Sequence, residues 1–375
     1  MVKVALVTVL VATWLMQSCS SEPDAVPSDL PNGCVSPAAA PRSGRPTVRV
    51  GVTGALGEAA QYLAEAEGYF DRQGLSVQLI NFSVPTRMIP ALAAGQLDVG
   101  SGNIGPGLFN ANENQLCIKV VGSTARHEPD ANGVFLFARK ELLDSGRLNS
   151  YADLKGFRVG LSARDSSNEY ALDKELGAGG LTLHDVQLVQ MSYPSMLVSL
   201  ANRSIDVAMM PESLASSAAD RGLDVKWKPV AEVLPGVQFG VVLYSPRFAA
   251  QHDVAVRWMK AYIQAARDYD EAFFHDVHRA EIVDLLSKAS PMNDKHLYDQ
   301  MSYPLIDPNG AVNVDSVADQ MSWFIHAGEL KQPADLSQVL DASYAQEAVD
   351  QLGAYTWSSG QAAALANPSA APSAQ

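Results

Sequence analysis

The sequence predicts an α/β fold of two lobes, each a doubly wound sheet flanked by helices, with the C-terminal helices packed on the first lobe. Three observations predict it. A strand–helix–strand–helix–strand pattern occurs twice in register, an extended apolar segment follows each copy, and the last third of the chain turns to helical periodicity.

Near the N-terminus, Lys3 is followed by an apolar run over residues 4–16 (VALVTVLVATWLM). That run is shorter than the roughly 20 residues needed to cross a bilayer, and it fits the core of a secretory signal. Leu15, Met16, Gln17 and Ser18 then lead directly into Cys19. Residues 1–18 are therefore expected to be a lipoprotein signal peptide. Residues 19–46 carry Pro23, Pro27, Pro31, Pro37, Pro41 and Pro46 among Ser, Ala, Asp and Gly without apolar period, and are expected to be a tether.

Residues 47–53 (TVRVGVT) form a β-branched run followed by a helical pattern over 57–70, and residues 156–162 (GFRVGLS) followed by 167–180 match it. Gly74 and Leu75 lead into the strand 77–81 (VQLIN), as Gly180 and Leu181 lead into 186–190 (VQLVQ). Residues 91–99 (ALAAGQLDV) are answered by 199–207 (SLANRSIDV), which puts Asp98 and Asp206 just before a third strand in each half. Right-handed crossovers make each unit a small parallel sheet covered on both faces. Residues 133–139 (GVFLFAR) and 238–244 (QFGVVLY) are expected to be the two extended connections between lobes. The first lobe is then 47–132 with 245–356, the second 133–244, and 357–375 a disordered tail. Beyond Pro246, the spacing of Val256, Met259, Tyr262, Ile263, Ala266, Tyr269 and Phe273 predicts a long amphipathic helix.

Composition narrows the function. The 375 residues are 47% hydrophobic, enough for a substantial core, and 27 Lys+Arg against 41 Asp+Glu give a net charge of −14. A nucleic-acid surface needs clustered cations, so that class is excluded. Cys19, Cys34 and Cys117 have no zinc-ligand spacing. The P-loop, the nucleophile elbow and the HExxH motif are all missing. His275 and His278, among Glu271, Asp276, Arg279 and Glu281, read as a solvated helix face rather than a metal pair. No cofactor and no metal are expected.

The phrases at 64–79 (AEAEGYFDRQGLSVQL), 91–103 (ALAAGQLDVGSGN), 153–191 and 199–215 (SLANRSIDVAMMPESLA) resemble substrate-binding proteins of ABC importers, specifically the nitrate/sulfonate/taurine/thiamine-pyrimidine family with the type 2 periplasmic binding fold. The run 305–310 (LIDPNG) with 312–314 (VNV) is similar as well. Many members of that family have Trp where this chain has Pro211 before Glu212. The resemblance implies a monomeric binder that is not an enzyme, with a small-molecule ligand between its lobes and an ABC permease and its ATPase as partners. Cys19 would carry the lipid that anchors it to the outer face of the cell membrane. The enzymes sharing this fold, eukaryotic pyrimidine synthases, carry a cysteine-rich motif that this chain lacks.

Ligands in open α/β folds sit beyond the carboxyl ends of the strands, where helix N-termini favour anions. The candidate ligand residues are Thr53, Gly54, Arg87, Ser101, Asn103, Arg126, Ser162, Arg164, Ser166, Ser167, Tyr193 and Glu212. With an arginine in three of these loops, the expected ligand is a small anion such as a sulfonate, nitrate or an aromatic carboxylate. Glu58, Asp165 and Glu212 point instead toward an amine or a thiamine-precursor pyrimidine. A ligand-sensing accessory of a membrane receptor is a further alternative. In an oxidising compartment Cys34 and Cys117 are expected to pair.

Overall fold

A computed structural model describes residues 44–213, 215 and 224–356. The expected signal peptide, Cys19, Cys34, nearly all of the tether and the tail lie outside the described residues. No helix among the described residues is long and apolar enough to cross a membrane.

Among the described residues, ten strands form two five-stranded sheets. They are β1 (Thr47–Val52), β2 (Ser76–Asn81), β3 (Val99–Asn103), β4 (Lys119–His127), β5 (Val134–Arg139), β6 (Arg158–Leu161), β7 (Gln187–Gln190), β8 (Val207–Pro211), β9 (Asp224–Pro229) and β10 (Val237–Tyr244). The first sheet has the order β2-β1-β3-β10-β4, and the second β7-β6-β8-β5-β9. The repeat is thus real in space: β1, β2, β3 correspond to β6, β7, β8, and both triplets are parallel.

Two expectations are corrected. The sheets are mixed rather than parallel, because β10 runs antiparallel to β3 and β4, and β5 antiparallel to β8 and β9. The segments read as interlobe connections are these inserted strands. Residues 237–244 pair inside the first sheet, Gly240 against Asn103 and Tyr244 against Val99, so they do not end the second lobe. The chain crosses between lobes earlier, at 128–133 and at 230–236. Every position of β10 is buried, the polar Gln238 included, which marks an interior strand, and crossing linkers need no such burial.

Matched residues hold both parallel triplets. In the first lobe the Asp98 carboxylate accepts from the Arg49 backbone N–H (2.9 Å), Nε (3.0 Å) and Nη2 (3.0 Å). In the second, Asp206 accepts from the same three groups of Arg158 at 2.9, 2.9 and 2.8 Å, and also from Arg139 Nη2 at 2.5 Å. Each aspartate thereby locks the start of the third strand to the start of the first. Gly51 and Gly160 are matched too: a Cβ would meet Leu97 Cδ1 at 2.8 Å in one lobe and Ile205 Cδ1 at 2.7 Å in the other. At both, glycine leaves room for the apolar side chain that precedes the third strand to pack over the first.

The helix His252–Phe274 buries Trp258, Tyr262 and Tyr269 completely against β1 and the helix Ala59–Ala66, with Trp258 and Tyr262 stacked at 5.4 Å, so the C-terminal helices close the first lobe as expected. The helix Val314–His326 also reaches the second lobe. Its Trp323 Nε1 donates to Asp173 (2.8 Å), and its Asp319 accepts from the Tyr170 hydroxyl, both partners lying on the helix Ser167–Ala178. His275 is tied to the buried Asp270 at 3.2 Å, and His278 is exposed.

Candidate ligand site

The lobes touch on two sides of a cavity of about 70 Å³, room for a few waters or a small ligand. On one side the Leu56 N–H donates to Ser213 Oγ (3.2 Å) and the Ser302 N–H to a Glu212 oxygen (3.1 Å). On the other, Ser167 Oγ donates to the Ile104 carbonyl (2.9 Å).

The first lobe supplies the loop after β1. Thr53 donates from N and Oγ, and Gly54 from N, to the Glu58 carboxylate at 2.7–3.0 Å, which curls the loop back on itself; Gly54 at φ +86° makes the turn possible. Burial pushes the Glu58 carboxyl up to about 7, against the opposing pull of these N–H groups. Ser101 and Asn103 line the cavity from β3, Ser101 accepting from Gln61 Nε2 at 2.7 Å. Thr124 and His127 come from β4, and Phe239 and Gly240 from a bulged stretch of β10. A Cβ on Gly240 would lie 3.0 Å from Ala125 N, so the bulge needs glycine.

The second lobe supplies Asn168, Tyr193, Pro211 and Ser213. Asn168 Nδ2 donates to Ser162 Oγ (2.7 Å), which holds the amide at the start of its helix. Ser302 and Pro304, from the C-terminal region, complete the wall.

Of the residues expected from sequence, Thr53, Ser101, Asn103 and Tyr193 line the cavity. Gly54 and Ser162 stand behind it through their bonds to Glu58 and Asn168. Ser166 Oγ donates to the Ala163 carbonyl (2.9 Å), and Ser167 is spent on the interlobe contact. None of the three arginines lines it. Arg87 borders a separate apolar groove with Ile80, Phe82 and Pro90; Arg126 pairs with Glu128 (3.0 Å) and Asp307 (3.7 Å); and Arg164 pairs with Glu169 (2.6 Å) while half exposed. Glu212 is held by Lys226 (2.6 Å), and Asp165 donates its N–H to Glu169. Among the described residues, no lysine or arginine lines the cavity; Glu58 does.

Sequence reasoning passed over Phe239, Gly240, Ser302 and Pro304 as candidates. The first two were hidden by reading β10 as a connector, although the glycine after Gln238-Phe239 is a bulge signal inside a strand. Ser302 and Pro304 arrive through tertiary packing with no local pattern.

A family model described as NMT1/THI5 like matches residues 58–269. The chain belongs to this family. A relative of this NMT1/THI5-like protein in Brucella abortus, named a putative binding protein, is 26% identical over 314 residues, covering 79% of this chain and 91% of the relative. Among solved structures, the nitrate-binding protein NrtA of Synechocystis PCC 6803 superposes with a TM-score of 0.66 at 13% identity, covering 83% of this chain and 90% of that one. The alkanesulfonate-binding protein SsuA of Xanthomonas axonopodis pv. citri, bound to MOPS, does so at 0.63 and 17%, covering 80% and 99%. The desulfurization enzyme DszB shares the fold as well, at 0.57 and 14%, covering 82% and 100%. The fold is therefore that of the periplasmic binding proteins, and it is used by both binders and enzymes.

Proposed function

We propose that the protein is an exported solute-binding lipoprotein, not an enzyme. It captures a small organic ligand between its lobes and hands it to an ABC permease driven by its ATPase. Family membership, the fold and the names of its relatives support this reading. The ligand chemistry follows from the cavity: one buried carboxyl group, uncharged hydrogen-bonding side chains from both lobes, apolar walls from Leu56, Val134, Phe239 and Pro304, and no lining cation among the described residues. This set suits an amine or an aminopyrimidine better than the small anion that the three arginines suggested. Glu58 carries the choice, because a carboxylate stabilises a donor and repels an anion.

A thermal-shift panel of 4-aminopyrimidine, nitrate, methanesulfonate and benzoate tests it. A ligand at 100 times its Kd adds about 2.7 kcal/mol, which raises the melting temperature of a body this size by roughly 5 °C. The aminopyrimidine is expected to give that shift; a shift with the anions alone returns the ligand to the sulfonate or nitrate class.

Export and anchoring carry their own test. Cys117 is disulfide-bonded, and with Cys19 lipidated the remaining partner is Cys34. Peptide mass mapping of the protein from membranes, without reduction, is expected to give an acylated N-terminal Cys19 and a linked Cys34–Cys117 pair. An unmodified Cys19 in a secreted product would remove the anchor.

A further inference from the structure

His127 ends β4, where the chain leaves the first lobe, and only 1% of it is exposed. Its ring Nδ1 accepts the N–H of Gly133, at the end of the first crossing (3.1 Å). Its carbonyl accepts the N–H of Gly236, at the end of the second (2.8 Å). The ring stands edge-on to Phe239, with centroids 5.0 Å apart, and lines the cavity. Because Nδ1 accepts a backbone N–H, the neutral ring carries its proton on Nε2. Nε2 is buried and has no partner among the described residues. An N–H left so is costly, and the cavity is the adjacent space in which an acceptor can sit.

We propose that His127 is a specificity-determining residue of this cavity: its Nε2–H donates to a hydrogen-bond acceptor on the ligand and selects against ligands that lack one there. The inference rests on the cavity being the ligand site. Desolvation holds the imidazole down to about 3, so it stays a neutral donor; the ionisable groups beside it in the chain and in the cavity are the Arg126–Glu128 pair, Glu58 and Tyr193. Since the first crossing is bonded to the ring itself, an acceptor that fixes the ring also steadies that crossing.

The test begins with 15N-labelled imidazole in the ligand-free protein. Between about pH 5 and 8, His127 is expected to show one tautomer, protonated at Nε2, without titration. A ring that titrates there, or carries its proton on Nδ1, overturns the proposal. Binding is then compared for 4-aminopyrimidine and aniline, which keeps the amine and lacks the ring nitrogens. The wild type is expected to prefer the former by about tenfold or more, His127→Phe to lose that preference, and His127→Gln, which restores a donor, to recover part of it. A preference that survives in a folded His127→Phe overturns the proposal. If His127→Phe does not fold, His127→Gln decides, an unchanged preference counting against it. If methanesulfonate binds and neither amine does, the amine reading fails by itself. A sulfonate oxygen is also an acceptor, so about a tenfold loss of methanesulfonate affinity in the variants then supports His127, and unchanged affinity overturns it.

Discussion

Replacing Asp206 with Ala is expected to lower the stability of the protein by about 3 kcal/mol, near the low end for removing one partner of a buried pair. The carboxylate accepts three bonds from Arg158 and one from Arg139. Its loss leaves the Arg158 backbone N–H without its acceptor, and two guanidinium groups facing each other where β6, β8 and β5 meet. Arg158 is partly exposed, and water there moderates the penalty. Burial pushes the Asp206 carboxyl up, but the bonds from Arg158 and the charges of Arg158 and Arg139 outweigh it and hold the group below its usual range. An acid whose folded pKa is depressed contributes stability that is fully present above its ordinary value of 3.8 and is lost as pH falls through the folded value. Urea unfolding of wild type and Asp206→Ala should therefore differ by the full amount at neutral pH and begin to converge only as pH falls below about 4. Asp98→Ala is expected to act in the same direction in the first lobe, where a single arginine is left behind. Equal unfolding midpoints for Asp206→Ala and wild type would show that the pin contributes nothing.

These pins explain why so much of the fold was legible. An Arg near the start of a first strand and an Asp before the third strand recur because each parallel triplet needs the same lock, and Gly51 and Gly160 recur because each leaves room for the apolar side chain that precedes the third strand. Repeats of that kind leave a mark in sequence. The inserted strands leave a weaker one. A mostly apolar segment such as 238–244 reads equally well as a buried strand of either sheet or as a link between them, and only its partners decide. The site was legible where a residue sits directly at a strand end, as with Thr53 and Asn103. It was not legible for the arginines, because a loop position fixes which end of the sheet a residue occupies and leaves open whether its side chain turns to the cavity or to a carboxylate beside it. Arg126 and Arg164 each have such a carboxylate.

Affinity for an amine or aminopyrimidine is expected to rise about tenfold between pH 6 and 8, for a ligand whose own charge is constant over that window. Glu58 is the group that titrates. Burial sets its carboxyl at about 7, so it is largely protonated at pH 6 and largely ionised at pH 8, and a donor on the ligand favours the ionised form. The tyrosines whose charges couple to it, Tyr62, Tyr193 and Tyr262, are themselves pushed up by burial, and His127 is held neutral, so none changes charge in that window. The ligand-free protein should respond in the opposite sense. A carboxyl raised from 4.5 to about 7 binds its proton more tightly in the folded chain than in the unfolded one, so the contribution of Glu58 to stability declines as pH rises from about 4.5 to 7 and is flat above. Glu58→Gln keeps an acceptor for the Thr53 and Gly54 N–H groups and has no charge to gain, so both pH dependences should vanish together in that variant. An anionic ligand reverses the sign: nitrate or a sulfonate would bind about tenfold more weakly at pH 8 than at pH 6, because the ionised carboxylate repels it. Calorimetric titration of 4-aminopyrimidine, corrected for its own partial protonation at pH 6, and of methanesulfonate at the two pH values thus separates the ligand classes by the direction of one slope, and a slope of zero for a compound that binds in this cavity would mean that Glu58 shapes the loop and takes no part in recognition.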